Sequence, residues 1–191
     1  IKEKTKKAYS KLETVVGLPS RVKQVADVVI NHYEKKTETI KGKAMVVAMT
    51  RSIAVDFYNE ITKQRPSWHS DDLNKGFIKI MMTGSASDPA DLQIHVGGKI
   101  RKDILAKRFK DPDDELQIII VVDMWLTGFD VPSLHTMYID KPMKGHNLMQ
   151  AIARVNRVFK DKPGGTIVDL YGIFESMKKA CKFLYGNHDY T

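Results

Sequence analysis

Gln150, Arg154 and Arg157 stand at i, i+4 and i+7, a spacing that predicts one shared helix face. Leu148, Ile152, Val155 and Phe159 fall on the opposite side and are predicted to face a sheet. Guanidinium forks match phosphate oxygens and stay charged at any working pH. Over a transferring phosphoryl group, such an arginine acts as a finger that neutralises transition-state charge. A polar surface face with arginines in ion pairs has the same spacing, and spacing alone favours that plainer arrangement.

Two further stretches carry similar chemistry. In Asp123–Pro132, DMWLTGFDVP, the Thr127 hydroxyl and the Gly128 amide suit a phosphate, and the Asp130 carboxylate suits a ribose or a neighbouring arginine. A backbone turn at Gly128 with Asp130 capping it would use the same residues without any ligand. Thr50-Arg51 opens a predicted helix, where Thr50 is a natural N-cap and the helix N-terminus attracts anions. Plain capping is again the simpler alternative, and Thr83-Gly84-Ser85 has the same ambiguity.

The elements that must position these residues alternate. AMVVAM (44–49), IKIMMT (78–83), LQIIIVV (116–122), LHTMYID (134–140) and GTIVDLYGI (165–173) read as strands. Residues 51–64, 99–110 and 145–159 read as helices; in 99–110 the predicted inward residues are Ile100, Ile104 and Leu105, with Asp111-Pro112 as the stop. Ahead of them, residues 20–36 read as an amphipathic helix with Ser20 as candidate N-cap, and a helical tail is expected after Phe174. Strand–helix alternation predicts an α/β fold: three layers, a mostly parallel sheet, helices on both faces, and ligands at the carboxyl ends of the strands.

The 191 residues suffice for one domain plus a short appendage, and 42% hydrophobic with 28% charged residues excludes a disordered chain. No apolar run approaches the ~20 residues needed to cross a bilayer, so no membrane partner is expected. The charged start without an initiator Met reads as a piece of a longer chain, with no signal peptide. The single Cys181 suits a reducing, cytoplasmic compartment. The net charge is +8, of which +6 sits in the first 43 residues, so a basic total says little about nucleic acid.

Read together, the stretches are far more specific. Gln150-Ala-Ile-Ala-Arg154-Val-Asn-Arg157 resembles motif VI of superfamily 2 helicases, Q-x-x-G-R-x-x-R, with Ala153 in place of glycine; TGFDVP (127–132) resembles their motif V, and AMVVAMTRS (44–52) sits where motif IV does. The run 123–173 resembles the motor (R) subunit of type I restriction enzymes, which pump DNA with ATP before cutting it. The resemblance implies a second RecA-like helicase lobe over 41–175, a basic leader and linker helix over 1–40, and the start of a C-terminal helical segment over 176–191. It implies Arg157, as the likelier finger, and Arg154 at the γ-phosphate, Gln150 positioning phosphate or water, and Asp130 and Gly128 near the nucleotide. Thr50, Arg51, Thr83 and Thr127 would touch the backbone of double-stranded DNA. Further implied partners are an upstream RecA-like lobe, a nuclease domain, and methyltransferase and specificity subunits.

The chain has no G-x-x-x-x-G-K-[ST] and no strand-end D-E-x-H, so ATP and Mg2+ would be held mainly by that upstream lobe. A self-standing nucleic-acid-binding module without ATPase function is the alternative. A small-molecule enzyme is disfavoured: no nucleophile with a base stands out, no G-x-G-x-x-G follows a strand, and His95, His135 and His146 read as structural.

Overall fold

The computed structural model describes residues 10–85, 87–126, 128–160 and 162–172. Thr127, Cys181 and the tail over 176–191 lie outside the described residues. Residues 10–16 are helical and lead into α1 (Pro19–Thr37). There follow β1 (Lys43–Ala48), α2 (Arg51–Gln64), a 3-10 turn (Pro66–Trp68), β2 (Ile78–Met81), the short α3 (Ala90–Gln93) and α4 (Lys99–Lys110). The chain continues through β3 (Ile118–Val121), β4 (Leu134–Asp140), α5 (Gly145–Val155) and β5 (Thr166–Asp169).

The five strands form one sheet in the order β2-β3-β1-β4-β5, and every pairing is parallel. Every residue of β1 to β4 is buried, as an apolar strand covered on both faces must be. Ala44, Val46, Ile118, Ile120 and Tyr138 face the layer of α1 and α2. Met45, Val47, Ile119, Val121 and Met137 face the layer of α4 and α5. This is the expected three-layer α/β fold.

Several local expectations are corrected. Ser20 is not the cap of α1: Leu18 holds that position without a side-chain bond, and Pro19 starts the helix, where its fixed φ fits and its missing N–H costs nothing. Ile100 is 77% exposed rather than inward, because Leu105, Arg108 and Phe109 already fill the buried face of α4. For residues 19–37, part of the 1–40 leader whose packing the sequence leaves open, the structure places Val22, Val25, Ala26, Val29, Ile30 and Tyr33 in the core of this lobe.

α5 stops at Val155, so Arg157 and Phe159 lie beyond it, not on its faces. The cause is tertiary. The Asn156 side chain accepts a bond from the Gly165 N–H at 2.9 Å, and Gly165 packs directly on Val155. A Cβ at Gly165 would overlap the Val155 carbonyl, which is backbone and cannot swing aside. Gly165→Ala should therefore cost about 1–3 kcal/mol of stability, read as a lowered urea midpoint. An unchanged midpoint would show that the α5–β5 connection shifts freely.

Candidate functional site

The segment between β3 and β4 carries the first half of the site. Asp123, just past β3, pairs with Lys141, just past β4, so the segment starts at the carboxyl edge of the sheet. Ser133 at its far end accepts a bond from the Lys43 N–H at 2.9 Å, at the opposite edge where β1 begins. The segment thus crosses the face of the sheet. Trp125 and Phe129 anchor it by stacking with ring centroids 3.9 Å apart, and Phe129 is buried. Gly128 has φ +70° and open space where a side chain would be, so it is glycine for backbone conformation, not for lack of room.

α5 carries the second half. Leu148, Ala151, Ile152 and Val155 bury one stripe, which turns Gln150 and Arg154 outward. Arg157 follows past the helix end and still reaches the same place. Gln150, Arg154 and Arg157 line one open cavity of about 350 Å³ with Gly128 and Asp130. Phe129 and Ala153 complete its wall. The cavity lies along the crossing segment towards the amino edge, not at the strands' carboxyl ends where ligands were expected. The reason is the path of the chain: α5 runs back from the end of β4 to the start of β5, and carries its arginines with it.

The charges in the cavity do not balance. Arg157 Nη1 pairs with Asp130 Oδ2 at 3.1 Å, and both side chains are about half exposed. Arg154 has no ion pair among the described residues, and its Nε is buried without a hydrogen-bond partner. Burial pulls the Arg154 guanidinium below its ordinary pKa, opposed by Asp130 and reinforced by Arg157. Gln150 Nε2 lies 2.6 Å from His146 Nε2, one turn earlier, while Gln150 Oε1 is buried without a partner. Two guanidinium groups, one carboxylate and two unmet polar atoms make a cavity short of negative charge. That donor set fits a phosphate-bearing group.

The DNA candidates sit apart from this cavity, around the ends of β1 and β2. Thr50 caps α2, its hydroxyl accepting from the Ile53 N–H at 3.4 Å, so the plain capping role holds for that side chain. Arg51 is paired with Asp88 and also donates to the Thr83 carbonyl at 3.3 Å. Thr83 itself is exposed and lines a shallow cavity of about 620 Å³ with Gly84, Ser85 and Lys102. Thr127 lies outside the described residues.

His146 reads as structural from the sequence, although its spacing of four from Gln150 is the signal for the contact it makes at the site. His135 is buried beside Thr136, as a structural histidine would be. His95 is also buried, but it borders a second cavity.

An all-parallel five-stranded sheet with helices on both faces is a three-layer α/β fold, and its likeness to helicase domains makes it RecA-like. Among solved structures, the fold is shared with a fragment assigned as the HsdR subunit of a type I restriction enzyme from Vibrio vulnificus, with TM-score 0.60 and 14% identity over 89% of this chain and 31% of that one. It is shared too with DEAD-box helicase domain 2 of Mss116p, with TM-score 0.51 and 19% identity over 86% of this chain and 57% of that one. The model of the family described as type I restriction enzyme subunit R domain 3 matches residues 22–171, which include every candidate site residue. The chain belongs to this family. It is 52% identical over 171 residues to the HindI endonuclease subunit of a type I restriction enzyme from Haemophilus influenzae, covering 88% of this chain and 16% of that protein. A Methanocaldococcus jannaschii protein assigned as the MjaIXP endonuclease subunit is 49% identical over 180 residues, again with 16% of its length covered. The chain thus spans a small part of the relatives it matches. No helix among the described residues is long and apolar enough to cross a membrane.

Proposed function

We propose that this chain is the second motor lobe of an ATP-driven DNA translocase within a type I restriction endonuclease. Its role is to bring Arg154 and Arg157 against the γ-phosphate of ATP held by a lobe upstream, and to grip the DNA backbone while doing so. The observation that carries the proposal is the convergence of Gln150, Arg154, Arg157 and Asp130 on one open cavity with surplus positive charge. Family membership supports the same reading.

The chain's own residues would act in this order. When the lobes close, Arg154 brings an uncommitted guanidinium to the phosphate oxygens. Arg157 exchanges Asp130 for phosphate; a half-exposed ion pair is worth at most ~1 kcal/mol, so it yields readily. Gln150, its amide oriented by His146, aligns the phosphate or the attacking water. The DNA-facing residues lie around the other edge of the sheet, so closure at one end shifts the grip at the other. Mg2+ and the phosphate cradle would come from the upstream lobe, and the nuclease from a further domain. The methyltransferase and specificity subunits would select the DNA. Such a protein works in the cytoplasm.

The two surfaces predict separable losses in the full-length protein. Arg154→Ala should abolish ATP turnover and leave duplex DNA binding within about twofold of wild type. Arg51→Ala should weaken DNA binding equally across sequences and lower the slope of log K against log[salt] by about one unit. Because Asp88 already pairs with Arg51, a slope change well under one unit would mean that the pair persists on DNA. Wild-type turnover in the Arg154 variant, or a sequence-selective loss in the Arg51 variant, would overturn the corresponding role.

A further inference from the structure

A second cavity, of about 410 Å³, opens at the free edge of the sheet beside β2 and shares no residue with the arginine cavity. Its walls come from separate elements: Tyr58 on α2, His69 and Asp71 after the 3-10 turn, Lys79 on β2, His95 after α3 and Arg101 on α4. Neither the folding of the sheet nor the proposed ATP reading accounts for this convergence.

The cavity is built as a site. Lys79 is 4% exposed, and its ammonium donates to the carbonyls of Ser70 and Asp72 at the rim, not to a carboxylate. Arg101 has no ion pair among the described residues, and its Nε is buried without a partner. His95 is 7% exposed, and its Nε2 is likewise buried without a partner. The ring is held edge-on against Tyr58, with centroids 4.8 Å apart, and the Tyr58 hydroxyl is itself fixed 2.7 Å from His69 Nδ1. Asp71 is the one carboxylate on the wall; it is fully exposed and sits 3.3 Å from His69 Nε2, turned to solvent. Burial, then the nearby charges of Arg101 and Lys79, push the His95 pKa down to about 4, so the ring is neutral and offers one N–H. Two cations without a carboxylate, an unmet imidazole nitrogen and an unmet guanidinium N–H thus surround one space.

We propose that this cavity binds a tetrahedral oxyanion of the phosphate class, with Arg101 and His95 donating to its oxygens and Lys79 offsetting its second charge. A phosphate suits it better than a carboxylate, because the donors approach from different elements and two cations await a dianion. The proposal is independent of the γ-phosphate role of Arg154 and Arg157. The phosphate has two possible sources, a free or nucleotide phosphate and the backbone of duplex DNA.

The test reads each arginine separately. Full-length protein is treated with phenylglyoxal, which modifies accessible guanidinium groups, and the labelled peptides are resolved by mass spectrometry. Inorganic phosphate should protect Arg101 saturably, and His95→Gln should raise the phosphate concentration needed by about tenfold or more. Protection of Arg154 should be unaffected by His95→Gln, which separates this site from the other. As a reading that needs no variant, phosphate should also slow hydrogen exchange at the His95 ring carbon. If a short duplex protects Arg101 at phosphate concentrations where inorganic phosphate does not, the source is the DNA backbone. Protection by inorganic phosphate alone assigns a free or nucleotide phosphate. Equal labelling of Arg101 with and without both ligands, or protection indifferent to His95→Gln, overturns the proposal.

Discussion

Arg157→Ala in the full-length protein should lower DNA-stimulated ATP turnover by about 10³-fold or more, the range expected when a guanidinium finger is removed from phosphoryl transfer. The loss should fall on kcat and not on DNA affinity, because Arg157 lies on the crossing-segment cavity and not at the edge carrying Thr50 and Thr83. Arg157→Lys should rescue little: an ammonium is a point charge, whereas two phosphate oxygens call for a fork. Asp130 supplies the control. It holds Arg157 at 3.1 Å in an exposed pair, which stabilises the resting position by at most ~1 kcal/mol. If that is its whole role, Asp130→Asn changes kcat by about fivefold at most. A rise in KM for ATP beyond that assigns it a nucleotide contact as well. Near-wild-type turnover in Arg157→Ala would remove the finger role and shift it to Arg154, the cavity arginine without an ion pair among the described residues.

The parts of the molecule legible in its sequence are those where one physical signal dominates. β1 and β3 are continuous apolar runs because both faces are covered, and in an alternating chain so short a run fits little but a central strand. α2 begins and ends as expected, since Thr50 caps it through a local bond. Where long-range contacts decide, the pattern misleads. The apolar period of α5 continues through Val158 and Phe159, yet Val158 is 88% exposed, because the bond from Gly165, just before β5, to Asn156 ends the helix. At the site, the spacing of Gln150, Arg154 and Arg157 was visible, but which groups face them was not. Asp130 lies 20 residues before Gln150 and meets the arginines only because its segment crosses the sheet. The second basic cavity had no signal at all: Tyr58 and Arg101 are far apart in the chain and meet around the edge of β2. His95 reads as structural from the sequence, which its burial supports, while its unmet nitrogen arises only from how the chain folds around it.

The largest stability effect is expected at the joint between α1 and the sheet. Arg21 donates through Nη1 to Asp140 Oδ2 at 3.0 Å and through Nη2 to Asp140 Oδ1, a bidentate pair. The same guanidinium bonds the carbonyls of Val16 at 3.1 Å and Leu170 at 3.0 Å. The Asp140 side chain is fully buried at the end of β4, whereas Arg21 keeps some contact with water. Arg21→Ala would leave that carboxylate buried and unpaired, a change that costs about 3–5 kcal/mol. In the full-length protein this should appear as amide hydrogen exchange in α1 and β4 faster by about 10²- to 10⁴-fold, since local opening draws on the same free energy. The double change Arg21→Met with Asp140→Leu should recover much of the loss, because removing both charges abolishes the desolvation penalty that the single change exposes. If the single variant exchanges like wild type, the pair contributes nothing to the docking of α1. If the double variant is as unstable as the single, the carbonyls of Val16 and Leu170, and not Asp140, are what Arg21 serves. Either result bears on the proposed motor role as well. A clip that joins the start of α1, the end of β4 and the end of β5 makes α1 move with this lobe, so the proposed lobe closure should hinge before Arg21.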